Sequence, residues 1–181
     1  MQGLVNAYTA GDTRKNATIL DIAAFATTQS FTIAQGYEHT GYFNKKYIAY
    51  AGNQFQDPHL TNGNNYVAIR YSDVLLMAAE ANNRGNINDE KARTYLNKVR
   101  ERAFGNTSQN VNTSGSALTQ DIWNERRLEL AGEGHRFFDL VRTNQAATAI
   151  AGFQTSKNEL FPIPLSEILL TGNRWAQNQG Y

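Results

Sequence analysis

The chain has 181 residues, no Cys, and 17 basic against 16 acidic groups, a formal net charge of +1. Without Cys there can be no disulfide scaffold, thiolate zinc site, iron–sulfur cluster or Cys nucleophile, and the even charge balance argues against a nucleic-acid binder. No apolar run approaches the roughly 18 residues of a membrane span, and the length is that of about one domain with a real core.

Asn and Gln together number 31, beside nine Tyr, nine Phe and two Trp. Amides hydrogen-bond sugar hydroxyls, and aromatic rings cover the apolar faces of pyranoses. The same composition also describes a chain with amide-rich loops and no ligand, so both readings stay open here.

Charge divides the sequence into three parts. Residues 1–66 carry four basic and four acidic groups, residues 67–142 carry eleven and ten, and residues 143–181 carry two of each. The first residues, Met1 to Tyr8, have neither a basic start nor an apolar run and do not form a signal peptide. Turn signals such as Gly11-Asp12, Gly41-Tyr42 and Asn62-Gly63 punctuate residues 1–66, which read as loops with short elements. The apolar stretch Thr18–Ala26 is too short for periodicity to choose between strand and helical turn. Tyr37, Tyr42, Phe43, Tyr47, Tyr50, Phe55 and Tyr66 lie among Gly, Asn and Gln. They suit a ligand-facing loop, or lids folded onto a helical core.

Residues 67–142 read as helices. Val74, Leu75, Ala78 and Ala81, widened by Leu76, Met77 and Ala79, make a stripe broad enough for burial on more than one side. Gly85 is placed to end this helix and Asn88 or Asp89 to cap the next. Ala92, Tyr95, Leu96, Val99 and Ala103 follow at helical spacing, and Gly105 ends the run. The hairpin 69–104 is close to the ~34-residue tetratricopeptide unit, which cannot bury both faces alone. A third helix is expected over about 119–133 and a fourth over about 135–142. In the tail, 143–181, Phe161-Pro162-Ile163-Pro164 cannot be helical, and Ser166 is placed to cap a last turn at Glu167–Leu170.

The densest site candidate is the run from Glu125 to Leu140. On the expected helix, Glu125, Glu129 and Glu133 share one face. The Glu-x-x-His pairs of a di-iron bundle and the His-Glu-x-x-His of a zinc protease are missing from the sequence. A glycosidase needs two carboxyls flanking a sugar bond, and carboxyls on one helix face point the same way. The remaining reading is structural. Arg126, Arg127, Arg136 and Arg142 interleave with Glu125, Glu129, Glu133 and Asp139, while Arg70, Arg100 and Arg102 offer partners from the hairpin. Such pairs fix orientation more than they add stability. Serine-hydrolase elbow, Walker A loop and Rossmann fingerprint are all missing as well, so no catalytic, metal or cofactor site is expected.

Several segments together resemble a known family. They are Ile69-Arg70-Tyr71-Ser72-Asp73-Val74-Leu75-Leu76-Met77-Ala78-Ala79-Glu80-Ala81, Leu96–Ala103, Glu125–Leu130 and Glu133–Arg142. Phe161-Pro162-Ile163-Pro164 with Glu167, the terminal Gln177–Tyr181, and upstream Gly11–Arg14 and Gly41–Tyr47 complete the order. The chain is similar to the SusD/RagB group of outer-membrane nutrient-binding lipoproteins over almost its whole length. Asp73 stands where Glu is usual, and Gln179 where Pro is usual.

The resemblance implies a mostly α fold, with tetratricopeptide-like helix pairs packed against a loop-rich irregular region. It implies a non-catalytic protein without cofactor that captures an oligo- or polysaccharide or another nutrient. It implies a place at the cell outer membrane, as a surface lipoprotein lidding a SusC-like TonB-dependent transporter. A full member is longer, so the chain is expected to be a C-terminal part, downstream of the lipidated Cys. The matched motifs are framework. Tyr37, Tyr50 and Phe55 lie between motifs and are the expected sugar-stacking residues. The alternative is a helical module that docks to the transporter without touching ligand.

Overall fold

The computed structural model describes residues 1–30, 32–33, 40–48 and 65–181. By contact the chain divides into two units, Met1–Gly134 and His135–Tyr181. The described structure is mostly helical, and none of its helices is long and apolar enough to cross a membrane.

The first unit opens with the short helices α1 (Gln2–Val5) and α2 (Arg14–Thr18), then β1 (Ile19–Asp21), α3 (Ile22–Gln29) and β2 (Tyr42–Asn44). The ambiguous apolar stretch therefore holds both a strand and a helix. Asp21 is the switch: its carboxylate accepts from the N–H groups of Ala23 and Ala24 at 3.0 and 3.2 Å and caps α3. The strands pair antiparallel, with Ile19 opposite Asn44 and Asp21 opposite Tyr42. Val5, Tyr8 and Ile19 form a small buried cluster with half-buried Leu128. The Tyr8 hydroxyl donates to the Leu128 carbonyl at 2.9 Å.

Helices α4 (Tyr71–Arg84), α5 (Asp89–Phe104) and α6 (Gly115–Glu129) carry the main core. Leu75, Leu76 and Ala79 of α4 meet Ala92, Leu96 and Val99 of α5 and Leu118 and Ile122 of α6. Fully burying each of the larger aliphatic side chains is worth about 1.5–3 kcal/mol. Asn88 caps α5, accepting from the Lys91 N–H at 2.8 Å, and Gly105 closes it in the left-handed region at φ 71°. Gly85 follows the last residue of α4 as expected, but it is not the left-handed residue of the turn. Gly85 has φ −76°, and Asn86, at φ 53°, takes the left-handed position instead. The breadth of the α4 stripe also needs correcting. One side packs on α5 and α6, while Val74 and Met77 on the other stay 44% and 45% exposed.

Helix α6 begins and ends earlier than the expected 119–133. Its start is set by partners distant in sequence. Asp89 accepts from the Gly115 N–H at 2.7 Å, and the Asn83 amide donates to the Gly115 carbonyl at 3.0 Å. Its end is set by a turn in which Gly132 and Gly134 have φ 78° and 86°. Glu133 therefore lies beyond the helix rather than on its face.

The second unit holds α7 (Arg136–Arg142), α8 (Ala146–Ala149) and α9 (Leu165–Leu170). The Phe137 ring contacts Phe138, Phe153 and Phe161. Ser166 lies inside α9, and Pro164 occupies the cap position without a side-chain hydrogen bond. The two prolines have no N–H, so Ile163 supplies the donor of that segment. The Gln177 amide accepts from the Ile163 N–H and donates to its carbonyl, both at 2.8 Å.

Candidate functional site

The site is built on the end of α6. A separation of four residues puts Glu125 and Glu129 on one helix face, and both are almost fully buried. A buried carboxylate persists only if it is paired and hydrogen-bonded. Glu125 accepts from Arg14 Nη1 at 2.5 Å and Arg100 Nη1 at 2.7 Å. Glu129 accepts from Arg70 at 2.6 Å and Arg102 at 2.5 Å on one oxygen, and from Arg14 at 3.2 Å on the other. Glu133 accepts from Lys46 Nζ at 2.5 Å and from Arg70 Nε and Nη2 at 2.8 and 2.9 Å. Asp12 grips Arg14 from the far side through Nε and Nη2, at 2.9 and 2.6 Å.

The five cations come from four places in the chain: Arg14 from α2, Lys46 from the loop after β2, Arg70 from the residue before α4, and Arg100 and Arg102 from α5. Neighbouring Arg126 turns the other way and binds buried Asp73 of α4 at 2.7 Å. Burial raises the Glu129 carboxyl, but the hydrogen bonds and charges of Arg102 and Arg70 outweigh it and hold the group down to about 2. Glu133 is held below its ordinary value in the same way, burial being outweighed by Arg70 and Lys46. Arg14 and Arg70 are held firmly charged by their carboxylates against the opposing effect of burial.

All six carboxylate oxygens of Glu125, Glu129 and Glu133 accept from a cation. A general acid must hold a proton near neutral pH, and a carboxyl titrating near 2 does not. The cluster is thus suited to fixing α6 against α2, α4 and α5. No group of His, Asp and Glu among the described residues is arranged to hold a metal ion.

Of the residues singled out from the sequence, Arg70, Arg100, Glu125, Glu129 and Glu133 meet in this cluster. Arg136 and Asp139 lie on α7 in the second unit, where Asp139 accepts from Arg142 Nε at 2.8 Å. Tyr37, Tyr50 and Phe55 lie outside the described residues. Sequence reasoning missed Asp12, Arg14 and Lys46 as members of the cluster. Their only signal was membership of the short upstream motifs Gly11–Arg14 and Gly41–Tyr47.

Beside the cluster lies a cavity of about 500 Å³, within the roughly 300–1,000 Å³ common for small-molecule sites. Arg14, Lys46, Arg70, Arg102, Glu129 and Glu133 form its charged wall, and Tyr47, Asn65 and Val67 line another part.

Known proteins share this architecture. A surface glycan-binding protein A from Bacteroides thetaiotaomicron, solved in complex with laminarihexaose, superposes with a TM-score of 0.84 at 31% identity, over 98% of this chain and 40% of that one. A laminarin-binding SusD-like protein superposes at 0.81 with 40% identity, over 100% of this chain and 38% of that one. SusD-like protein P2 of Formosa agariphila is 31% identical over 150 residues, which are 75% of this chain and 29% of that protein. The chain spans less than a third of the length of the curated relatives it matches. The sequence profile of the SusD family matches residues 22–181, and the chain belongs to that family.

Proposed function

We propose that the chain is part of a non-catalytic glycan-binding subunit of an outer-membrane uptake system. The observation that carries this reading is the likeness, at 31% and 40% identity and over nearly the whole chain, to proteins described as binding laminarihexaose or laminarin. The saturated carboxylates of the ion-pair cluster support the non-catalytic half, since none is left to protonate a leaving group or attack a sugar. Capture then rests on ring stacking and amide hydrogen bonds. Tyr37, Tyr50 and Phe55 are proposed as the stacking residues, and the protein as a surface lipoprotein that serves a SusC-like TonB-dependent transporter.

Affinity electrophoresis against a panel of polysaccharides, laminarin included, tests the reading. Retardation by at least one polysaccharide is expected, with no reducing sugar released. Failure to bind any of them overturns it, and release of reducing sugar overturns the non-catalytic half.

A second reading is favoured by one observation. The outer row of α4 leaves Tyr71, Val74 and Met77 exposed, which suits a helical module that docks to the transporter without contacting ligand. Co-purification with the transporter and binding to no glycan is the outcome that selects it.

A further inference from the structure

Among the described residues, the cluster that walls the cavity carries unequal numbers of cations and carboxylates. Among the described residues the cluster joins five cations (Arg14, Lys46, Arg70, Arg100 and Arg102) to four carboxylates (Asp12, Glu125, Glu129 and Glu133), an excess of one positive charge. The excess is not shared evenly. Arg70 uses its Nε and both terminal nitrogens on Glu133, Glu129 and Ser72. Arg14 is spent on Asp12, Glu125 and Glu129. Arg102 makes a single hydrogen bond, from Nη2 to Glu129, and its side chain is 57% exposed. Its remaining N–H groups have no partner among the described residues.

A guanidinium with unused, coplanar N–H groups at a cavity wall is the fork that receives a carboxylate or a sulfate. At another part of the same cavity stands Tyr47. Its ring is stacked with that of Tyr66, centroids 6.1 Å apart and planes 22° from parallel, and Tyr66 is 69% exposed. Asn65 adds an amide to the lining. A cationic fork, a tyrosine ring backed by a second one, and an amide, with Arg102, Tyr47 and Asn65 lining the one cavity, match the three parts of an acidic sugar: its anionic group, its apolar ring face and its hydroxyls.

We infer that this cavity receives an acidic saccharide unit, with Arg102 contacting its carboxylate or sulfate and Tyr47 facing its ring. The inference rests on the glycan-binding reading and sharpens it to a substrate class. Glu129 already has Arg14 and Arg70, so ligand competition for Arg102 does not strip that carboxylate of its partners.

Calorimetry on the protein with three hexasaccharides tests it: laminarihexaose as the neutral probe, a hexagalacturonate as the carboxylate probe and a sulfated galactan hexasaccharide as the sulfate probe. At low salt at least one acidic probe is expected to bind about tenfold or more tightly than the neutral one, the worth of a charge-assisted hydrogen bond. Which acid binds more tightly tells carboxylate from sulfate. The preference is expected to shrink as salt is raised, a readout that needs no variant. Arg102→Gln is expected to abolish the preference and Arg102→Lys to keep part of it. Equal affinity for acidic and neutral probes overturns the inference and leaves the glycan-binding reading in place. A preference undiminished in a folded Arg102→Gln protein also overturns it. Binding of none of the three, together with no retardation by any polysaccharide, removes both readings.

Discussion

Arg70 and Glu133 meet as fork and carboxylate, Nε on one oxygen at 2.8 Å and Nη2 on the other at 2.9 Å, although they are 63 residues apart and Glu133 lies past the end of α6. The same guanidinium reaches Glu129 and the Glu129 carbonyl. One side chain before α4 therefore holds the last turn of α6 and the glycine turn that follows it.

Removing the central carboxylate should be costly. Glu129→Gln leaves Arg14, Arg70 and Arg102 facing an amide, and breaking a buried pair costs about 3–5 kcal/mol. At roughly 2–4 °C per kcal/mol for a chain of this size, the melting temperature is expected to fall by about 10 °C. Arg102→Gln removes a mostly exposed partner and is expected to cost no more than about 1 kcal/mol. Equal losses for the two variants in thermal melts contradict this account.

The cluster also predicts an acid-labile fold. Glu129 titrates near 2 in the folded protein and at about 4.5 otherwise. Its contribution is therefore complete above about pH 4.5 and is lost as pH falls toward 2, because the unfolded chain takes up the proton first. The difference corresponds to roughly 3 kcal/mol, and Glu133 acts in the same direction. Urea titrations between pH 7 and pH 3 should show stability falling below pH 4.5, with a shallower fall in Glu129→Gln.

Gly132 should tolerate nothing larger. Its φ is 78°, and a Cβ there would stand 2.6–2.7 Å from the Asn44 side chain, whose amide donates to the Gly132 carbonyl at 3.1 Å. Gly152 has the same φ with nothing within 4 Å. Both pay the left-handed strain of about 1 kcal/mol, but Gly132→Ala must also displace Asn44. Its loss in chemical denaturation is expected to exceed that of Gly152→Ala by about 1 kcal/mol or more.

Two helix starts that look alike in sequence should respond differently. Asn88 makes a cap bond to the Lys91 N–H, whereas Ser114 precedes α6 without one. Asn88→Ala is expected to cost about 1 kcal/mol and Ser114→Ala close to nothing, as read by denaturation midpoints.

In the second unit, Gln177→Ala removes both hydrogen bonds to Ile163. The Ile163 amide is expected to exchange with solvent at least tenfold faster, which hydrogen-exchange mass spectrometry resolves. Unchanged protection means that some other contact holds the tail.

Helices α4 and α5 were legible because their information is local. Leu75, Leu76 and Ala79, then Ala92, Leu96 and Val99, repeat at helical spacing, and Asn88 and Gly105 mark the ends of α5 by their own backbone chemistry. Family membership was legible for a related reason: short motifs keep their order along the chain whatever they touch. The ends of α6 were not legible. Its start is tied to Asp89 and Asn83, 26 and 32 residues away.

The sequence alone determined that this protein is helical, belongs to a known family, and carries dense, balanced charge in 67–142. Those properties follow from composition, periodicity and motif order. Only the tertiary structure decided which cation meets which carboxylate. Arg14 reaches Glu125 across 111 residues and Lys46 reaches Glu133 across 87. A charge pairs with whatever the fold brings within hydrogen-bonding distance, and that distance is written in the packing of α2, β2, α4, α5 and α6, not in the spacing of residues along the chain.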